Sequence, residues 1–147
     1  MGNLLLTRII SIVQCVSKKR DTPHLARDLY TSPLFVNAAA YAEKISDDWY
    51  IISAKYGLVH PTDFVEPYDV TLKDMSASER RKWAEQVFST LKPLLNSTDT
   101  VVFLAGVKYR ENLVKKVAAL GCKVEIPMEG LRIGEQVSWL QKQLEDY

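Results

Sequence analysis

Apolar positions along this chain follow two rhythms in turn. Arg8 to Cys15 reads RIISIVQC, a β-branched run apolar on both faces, as a strand inside a parallel sheet requires. Ser17-Lys18-Lys19-Arg20-Asp21-Thr22-Pro23 is polar and ends that run in a loop, and His24 to Tyr30 has the content of a short helix. Ser32-Pro33 reads as an N-cap followed by proline at the first helical position, so the alanine-rich Leu34 to Ile45 is expected to be helical. Trp49 to Ser53 (WYIIS) is a second strand, broken by Lys55-Tyr56-Gly57. Leu58 to Leu72 holds Pro61 and Pro67 and reads as a long irregular excursion, of the kind that is often functional inside a compact domain. Ser76 and Glu79 have the spacing of a capping box and open a helix to about Leu91. Thr100 to Ala105 is a third strand, Lys108 to Leu120 a helix closed by Gly121, Cys122 to Ile126 a fourth strand, and Gly134 to Glu145 a last amphipathic helix.

This alternation predicts one α/β domain over residues 1–147. The expected form is a three-layer α/β/α sandwich with a four-stranded, mainly parallel sheet, its strands in the order 2-1-3-4 when numbered along the chain. A hydrophobic content of 47% and a charged content of 25% fit a globular protein. The net charge of +1 argues against a strong duplex-DNA binder while leaving room for a local basic pocket. Cys15 and Cys122 are too few for a disulfide framework and read as buried, reduced thiols. No apolar run approaches the ~18 residues of a spanning helix. Leu4-Leu5-Leu6 is too short for a secretory signal, so the expectation is a cytoplasmic protein with no membrane partner.

In an open parallel sheet, ligands bind beyond the carboxyl ends of the strands. The four strand exits here read Cys15-Val16-Ser17-Lys18-Lys19, Ser53-Ala54-Lys55-Tyr56-Gly57, Gly106-Val107-Lys108-Tyr109-Arg110 and Pro127-Met128-Glu129-Gly130-Leu131. Glycine, lysine, tyrosine and serine collect there, whereas the opposite end shows ordinary turn chemistry such as Gly121. Lys55 stands out: it is either an anion-binding or nucleophilic lysine, or a solvated loop lysine. The backbone of Ser17-Lys18-Lys19 either forms an anion nest closed by a lysine or is a charged surface loop. Tyr56, Tyr68 and Tyr109 have faces for stacking on a base, with packing the plainer alternative, favoured for Tyr109. Glu66, Asp69 and Glu129 are the carboxylates of the site-facing segments, Asp69 being the best placed to stabilise a cationic sugar or activate water. Catalytic candidates are therefore Lys55, Asp69 and Glu129. Substrate-binding candidates are Cys15, Ser17, Lys18, Lys19, Ser53, Tyr56, Gly57, Tyr68, Gly106 and Gly130. His24 and His60 complete no metal-ligand spacing, and no glycine-rich phosphate loop is present, so no metal and no cofactor is expected.

The motifs Cys15-Val16-Ser17-Lys18-Lys19, Leu29-Tyr30-Thr31-Ser32-Pro33-Leu34-Phe35, Ser53-Ala54-Lys55-Tyr56-Gly57-Leu58-Val59, Pro67-Tyr68-Asp69-Val70-Thr71-Leu72 and Gly130-Leu131-Arg132-Ile133-Gly134 together resemble an uncharacterised bacterial and phage domain family. More remotely, the chain looks like the peroxide-stress protein YaaA family and the core domain of archaeosine synthases. That resemblance implies nucleic-acid or modified-nucleobase metabolism and a fold of the uracil-DNA-glycosylase kind. The water-activating loop and the histidine-bearing second motif of those glycosylases are missing here, so their catalytic step does not carry over.

The leading expectation is an enzyme acting on a nucleotide, nucleobase or nucleic acid, single-stranded or modified DNA included, at an N-glycosidic bond. Lys18 or Lys19 and Lys55 would hold phosphate, Tyr56 and Tyr68 would sandwich the base, and Asp69 or Glu129 would stabilise the sugar or position water. One rival is a non-catalytic nucleic-acid-binding module in phage defence or DNA repair. Another is an accessory protein recruiting a partner through Trp139, Leu140 and Leu144 of the last helix.

Overall fold

The β-branched run after Arg8 becomes the central strand of a sheet, β1 (Ile9–Gln14). The computed structural model describes residues 7–145, and Leu4-Leu5-Leu6 lies outside them. Ile10, Ser11, Ile12 and Val13 are all buried, and successive side chains point to opposite faces, so both faces of β1 are covered. A segment His24–Leu25 (β2) and a single turn of helix, Ala26–Leu29 (α1), lead to the long α2 (Pro33–Ile45). Next come β3 (Asp48–Ser53), β4 (Gly57–Val59), β5 (Phe64–Val65), α3 (Ala77–Leu91), β6 (Thr100–Leu104), α4 (Val107–Ala119), β7 (Lys123–Glu125) and α5 (Ile133–Glu145).

The central sheet has five strands in the order β4-β3-β1-β6-β7. β1 pairs in parallel with β3, Ile12 opposite Tyr50, and with β6, Ile12 opposite Phe103. β7 extends the sheet in parallel beside β6. The fifth strand corrects the expectation of four. Gly57, at φ +71°, turns the chain sharply after β3, and β4 runs back antiparallel with Val59 opposite Ile51. Three residues are too short a stretch to show a period of two in the sequence.

The excursion expected over residues 58–72 is also more ordered than a loop. β5 pairs antiparallel with β2, and the Ala26 and Arg27 amides donate to the Asp63 and Pro61 carbonyls at 2.7 and 3.0 Å. Those partners serve the open amides at the start of α1, and the helix expected over residues 24–30 is confined to Ala26–Leu29.

Helix starts follow local chemistry. Ser32 caps α2 by accepting the Phe35 amide, and Ser76 and Glu79 cap α3 reciprocally. Gly121, at φ +100°, ends α4 in a conformation where a Cβ would meet the Ser97 side chain at 3.2 Å. At the amino end of the sheet, Asp99 is buried, ion-paired to Arg8 at 2.8 Å and bonded to the Asn96 amide at 2.8 Å.

α2 packs on α5, and α3 on α4. Leu140 of α5 is completely buried, and the Trp139 ring meets Tyr41 of α2 edge-on at 5.3 Å. Leu140 is thus engaged within the chain, while Trp139 and Leu144, the other residues of the expected recruiting surface, are half-buried. Leu140→Ala is expected to lower stability by about 2–5 kcal/mol, because a fully buried leucine leaves a cavity as well as losing its transfer energy. Urea unfolding followed by circular dichroism checks it.

Candidate functional site at the carboxyl end of the sheet

β1 and β3 end side by side, and each end is fixed by backbone and side-chain bonds. The Cys15 amide donates to the Ile52 carbonyl at 3.1 Å, which keeps this residue in line with the sheet, and its thiol is buried. Ser53 closes β3 and has no exposed surface. Its hydroxyl oxygen accepts the amides of Lys55 (3.2 Å) and Tyr56 (3.0 Å) and donates to the Tyr68 hydroxyl (2.9 Å). Tyr68 and Tyr30 share a hydroxyl–hydroxyl bond of 2.6 Å, and the Trp83 indole donates to the Ser53 carbonyl at 2.9 Å. Nearby, the Cys15 thiol donates to the Tyr109 hydroxyl at 3.7 Å, and the Leu72 amide reaches the same oxygen at 3.5 Å.

Burial pushes the hydroxyls of Tyr30, Tyr68 and Tyr109 well above the ordinary phenol range, with the neighbouring Cys15 adding to the effect. They are neutral, protonated groups at physiological pH.

Above this hydroxyl cluster lies a pocket of about 380 Å³. Gln14, Cys15 and Val16 from the end of β1, Ser32, Pro33 and Leu34 from the start of α2, Tyr109, and Ile133 and Val137 of α5 line it. Ser17, Lys18, Thr71 and Lys73 complete the lining, with the two lysines exposed to solvent. No carboxylate lines this pocket, and neither lysine forms an ion pair among the described residues. Beside it, the Gly106 amide donates to the Gln14 side-chain oxygen at 2.7 Å, and a Cβ on Gly106 would come within 3.2 Å of that oxygen. A larger hollow of about 660 Å³ beside the start of β3 is a surface depression of mixed charge, lined by Arg27, Asp28, Glu43 and Lys44, and includes no strand-exit residue.

The sequence candidates divide among several places. Lys18, Ser17 and Cys15 meet in the pocket. Lys19, next in sequence, turns inward instead: its ammonium donates to the Val16 and Ser17 carbonyls at 3.2 and 2.8 Å and lies 4.6 Å from the Tyr68 ring centroid. Lys55 does not join Lys18. It is exposed and lines a second groove of about 360 Å³ with Tyr56, Gly57, Met75 and the α3 residues Glu79, Lys82 and Trp83. Desolvation, one of the ways a lysine becomes nucleophilic, is not provided at this exposed side chain.

Tyr56 and Tyr68 touch each other, edge to face with centroids 5.4 Å apart, so no slot for a base exists between them. Asp69 and Glu66 are exposed, and Glu129 is 66% exposed in an ion pair with Arg110 at 3.6 Å. None of the three lines either groove. Gly130, at φ +83°, shapes the turn after β7 and lines a neighbouring cavity of about 260 Å³ with Gly106 and Arg110. His24 is half-buried in β2 and His60 sits in an exposed turn, and no cluster of three metal-binding side chains occurs among the described residues.

Tyr30, Lys73 and Trp83 reach the site without having been singled out in the sequence. Tyr30 carried one signal, an aromatic just before the Ser32-Pro33 helix start. Lys73 and Trp83 carried none, because their positions depend on how residues 66–76 fold back over the strand ends.

A sequence-family model described as a family of unknown function (DUF6884) matches residues 10–142. The uncharacterised protein YfjM of Bacillus subtilis (strain 168) is 39% identical over 117 residues, covering 71% of this chain and 73% of its own length. No solved structure matches. No helix among the described residues is long and apolar enough to cross a membrane.

The tyrosine cluster makes stability sensitive to alkali. The folded-state values are raised above the unfolded one, so the contribution is complete below about pH 10, the unfolded phenol value, and is lost as pH rises above it. Tyr68→Phe is expected to destabilise by about 1–3 kcal/mol at neutral pH, since Ser53 and Tyr30 lose a buried partner. The same variant should lose less stability than wild type between pH 9 and pH 11, which denaturant titrations at each pH measure.

Proposed function

Since the chain belongs to the family of unknown function DUF6884, which brings no activity with it, we propose a function from the chain's own site: it binds a nucleotide in the strand-end pocket and acts at the N-glycosidic bond. The observation that carries this reading is the pairing of two exposed lysines with an apolar wall in a pocket lined by no carboxylate. Such a pocket, within the usual range of about 300–1,000 Å³, suits an anion joined to a ring. In this reading Lys18 and Lys73 hold the phosphate, aided by the hydroxyls of Ser17, Ser32 and Thr71. The base and sugar lie against Val16, Leu34 and Val137. The Tyr109 hydroxyl is a neutral donor toward the base as the bond breaks, the electron pair leaving with the base and water adding to the sugar carbon. The uracil-DNA-glycosylase-like form of the three-layer fold, and the kinship with the YaaA and archaeosine synthase groups, belong to the same proposal.

A second reading is favoured by the position of Asp69 and Glu129. Both carboxylates stand outside the pocket, which suits a non-catalytic module that binds nucleotide or nucleic acid. One experiment separates the two. The protein is incubated with nucleotides, nucleosides and oligonucleotides, modified bases included, while mass spectrometry counts freed bases and calorimetry measures binding. Lys18→Ala and Lys73→Ala are each expected to weaken nucleotide binding about tenfold or more, the worth of one charged hydrogen bond. Base release lost in both variants supports the enzyme. Binding without release supports the module, and no binding by any nucleotide overturns both.

A further inference from the structure

We propose that the ligand is a single strand of nucleic acid, and that it lies across the Trp83–Tyr109 partition so that neighbouring nucleotides occupy both grooves; this rests on the strand-end pocket being a nucleotide site. The partition is thin. Tyr109 lines the pocket, Trp83 lines the second groove, and their rings are in edge contact with centroids 5.5 Å apart. The segment above them serves both sides, giving Thr71 and Lys73 to the pocket and Met75 to the groove. A ligand longer than one nucleotide therefore leaves one groove directly into the other.

The charge pattern repeats across the partition. Lys18 and Lys73 line the first groove, and Lys55 and Lys82 line the second. The one carboxylate of the second groove, Glu79, is bonded to the Ser76 amide at 2.8 Å as part of the helix cap. Glu79 keeps its negative charge beside Lys82, where a phosphate has to compete with it, and the four amines line the path of successive phosphates within a chain whose net charge is only +1. The second groove also offers a stacking face. Tyr56 is 37% exposed, and its ring is held by the Tyr68 contact and by its hydroxyl donating to the Glu66 carbonyl at 3.1 Å. Lys55 sits 5.4 Å from the centroid of that ring. A fixed aromatic face beside lysines is what an unpaired base and its phosphate require, and a duplex keeps its base faces stacked away from it.

The test is competition against a labelled oligonucleotide by fluorescence anisotropy. Competitors are a mononucleotide, single strands of two, four and eight nucleotides, and a duplex, at two salt concentrations. The expected result is affinity rising about tenfold or more between one and four nucleotides. The double variant Lys55→Ala/Lys82→Ala should bring the four-nucleotide strand down to the affinity of the mononucleotide. It should also reduce the salt slope by about 1.4, for two lost phosphate contacts. Tyr56→Ala should weaken the longer strands roughly 5- to 150-fold.

A mononucleotide that binds through Lys18 and Lys73 with no gain from added length overturns this inference and leaves the pocket reading standing. A length gain that survives Lys55→Ala/Lys82→Ala overturns it too, as does a duplex that competes as well as the single strand. No competition by any of them overturns both readings.

Discussion

The side chain of Ser53 is the fixed point on which this site depends. It is fully buried, and its hydroxyl takes two backbone amides and gives one hydrogen bond, leaving no unmet demand. A buried hydroxyl is stable only under that condition. The consequence is geometric. The turn into β4 is set by the Lys55 and Tyr56 amides, Tyr68 is set by the hydroxyl proton, Tyr30 is set through Tyr68, and α3 is pinned by Trp83 on the carbonyl of the same residue. Segments far apart in sequence thus converge on the end of one strand. A network of this kind stabilises as a unit, so removing one hydroxyl strands its neighbours.

Much of the frame was legible in the sequence because its causes are local or periodic. The inner parallel strands declared themselves through apolar runs without alternation, since β1 is covered on both faces, whereas the edge strand β7 alternates. The starts of α2 and α3 were written in Ser32-Pro33 and in Ser76 with Glu79, where the capping partners lie three residues apart. β4 and β5 escaped because two or three residues carry no period. Their pairing was decided by the turn at Gly57 and by the amides of Ala26 and Arg27 finding carbonyls at Asp63 and Pro61.

For the candidate site, the sequence showed which residues follow the strand ends, but not how they divide among the grooves there. Sequence position placed Lys18, Lys19 and Lys55 at strand exits, but no spacing rule tells on which side of an aromatic pair a lysine will fall. Trp83 and Tyr109, separated by a whole strand and most of a helix, decide that Lys55 and Lys18 face different grooves. Lys19 shows the same limit at shorter range. Its ammonium has three donors, and two meet carbonyls of its own loop while Lys18 is left to solvent. Tyr56 and Tyr68 looked alike as stacking residues, yet each is the other's packing partner.

The pocket's charges also dictate how an anionic ligand must enter it. Its cations, Lys18 and Lys73, are exposed side chains, whereas Cys15 and Tyr109 at its inner wall are buried and Tyr109 is held neutral. A phosphate pushed inward against Val16 and Leu34 would lose its hydration and gain no cation, a cost of several kcal/mol for an unpaired charge. The reverse orientation keeps the phosphate beside the lysines and in water, and hands the inner wall an uncharged ring with edge groups for neutral donors. For such a ligand, orientation follows from where the charge is absent as much as from where it is present, and under the proposed reading the rest of a longer ligand would extend outward over the partition.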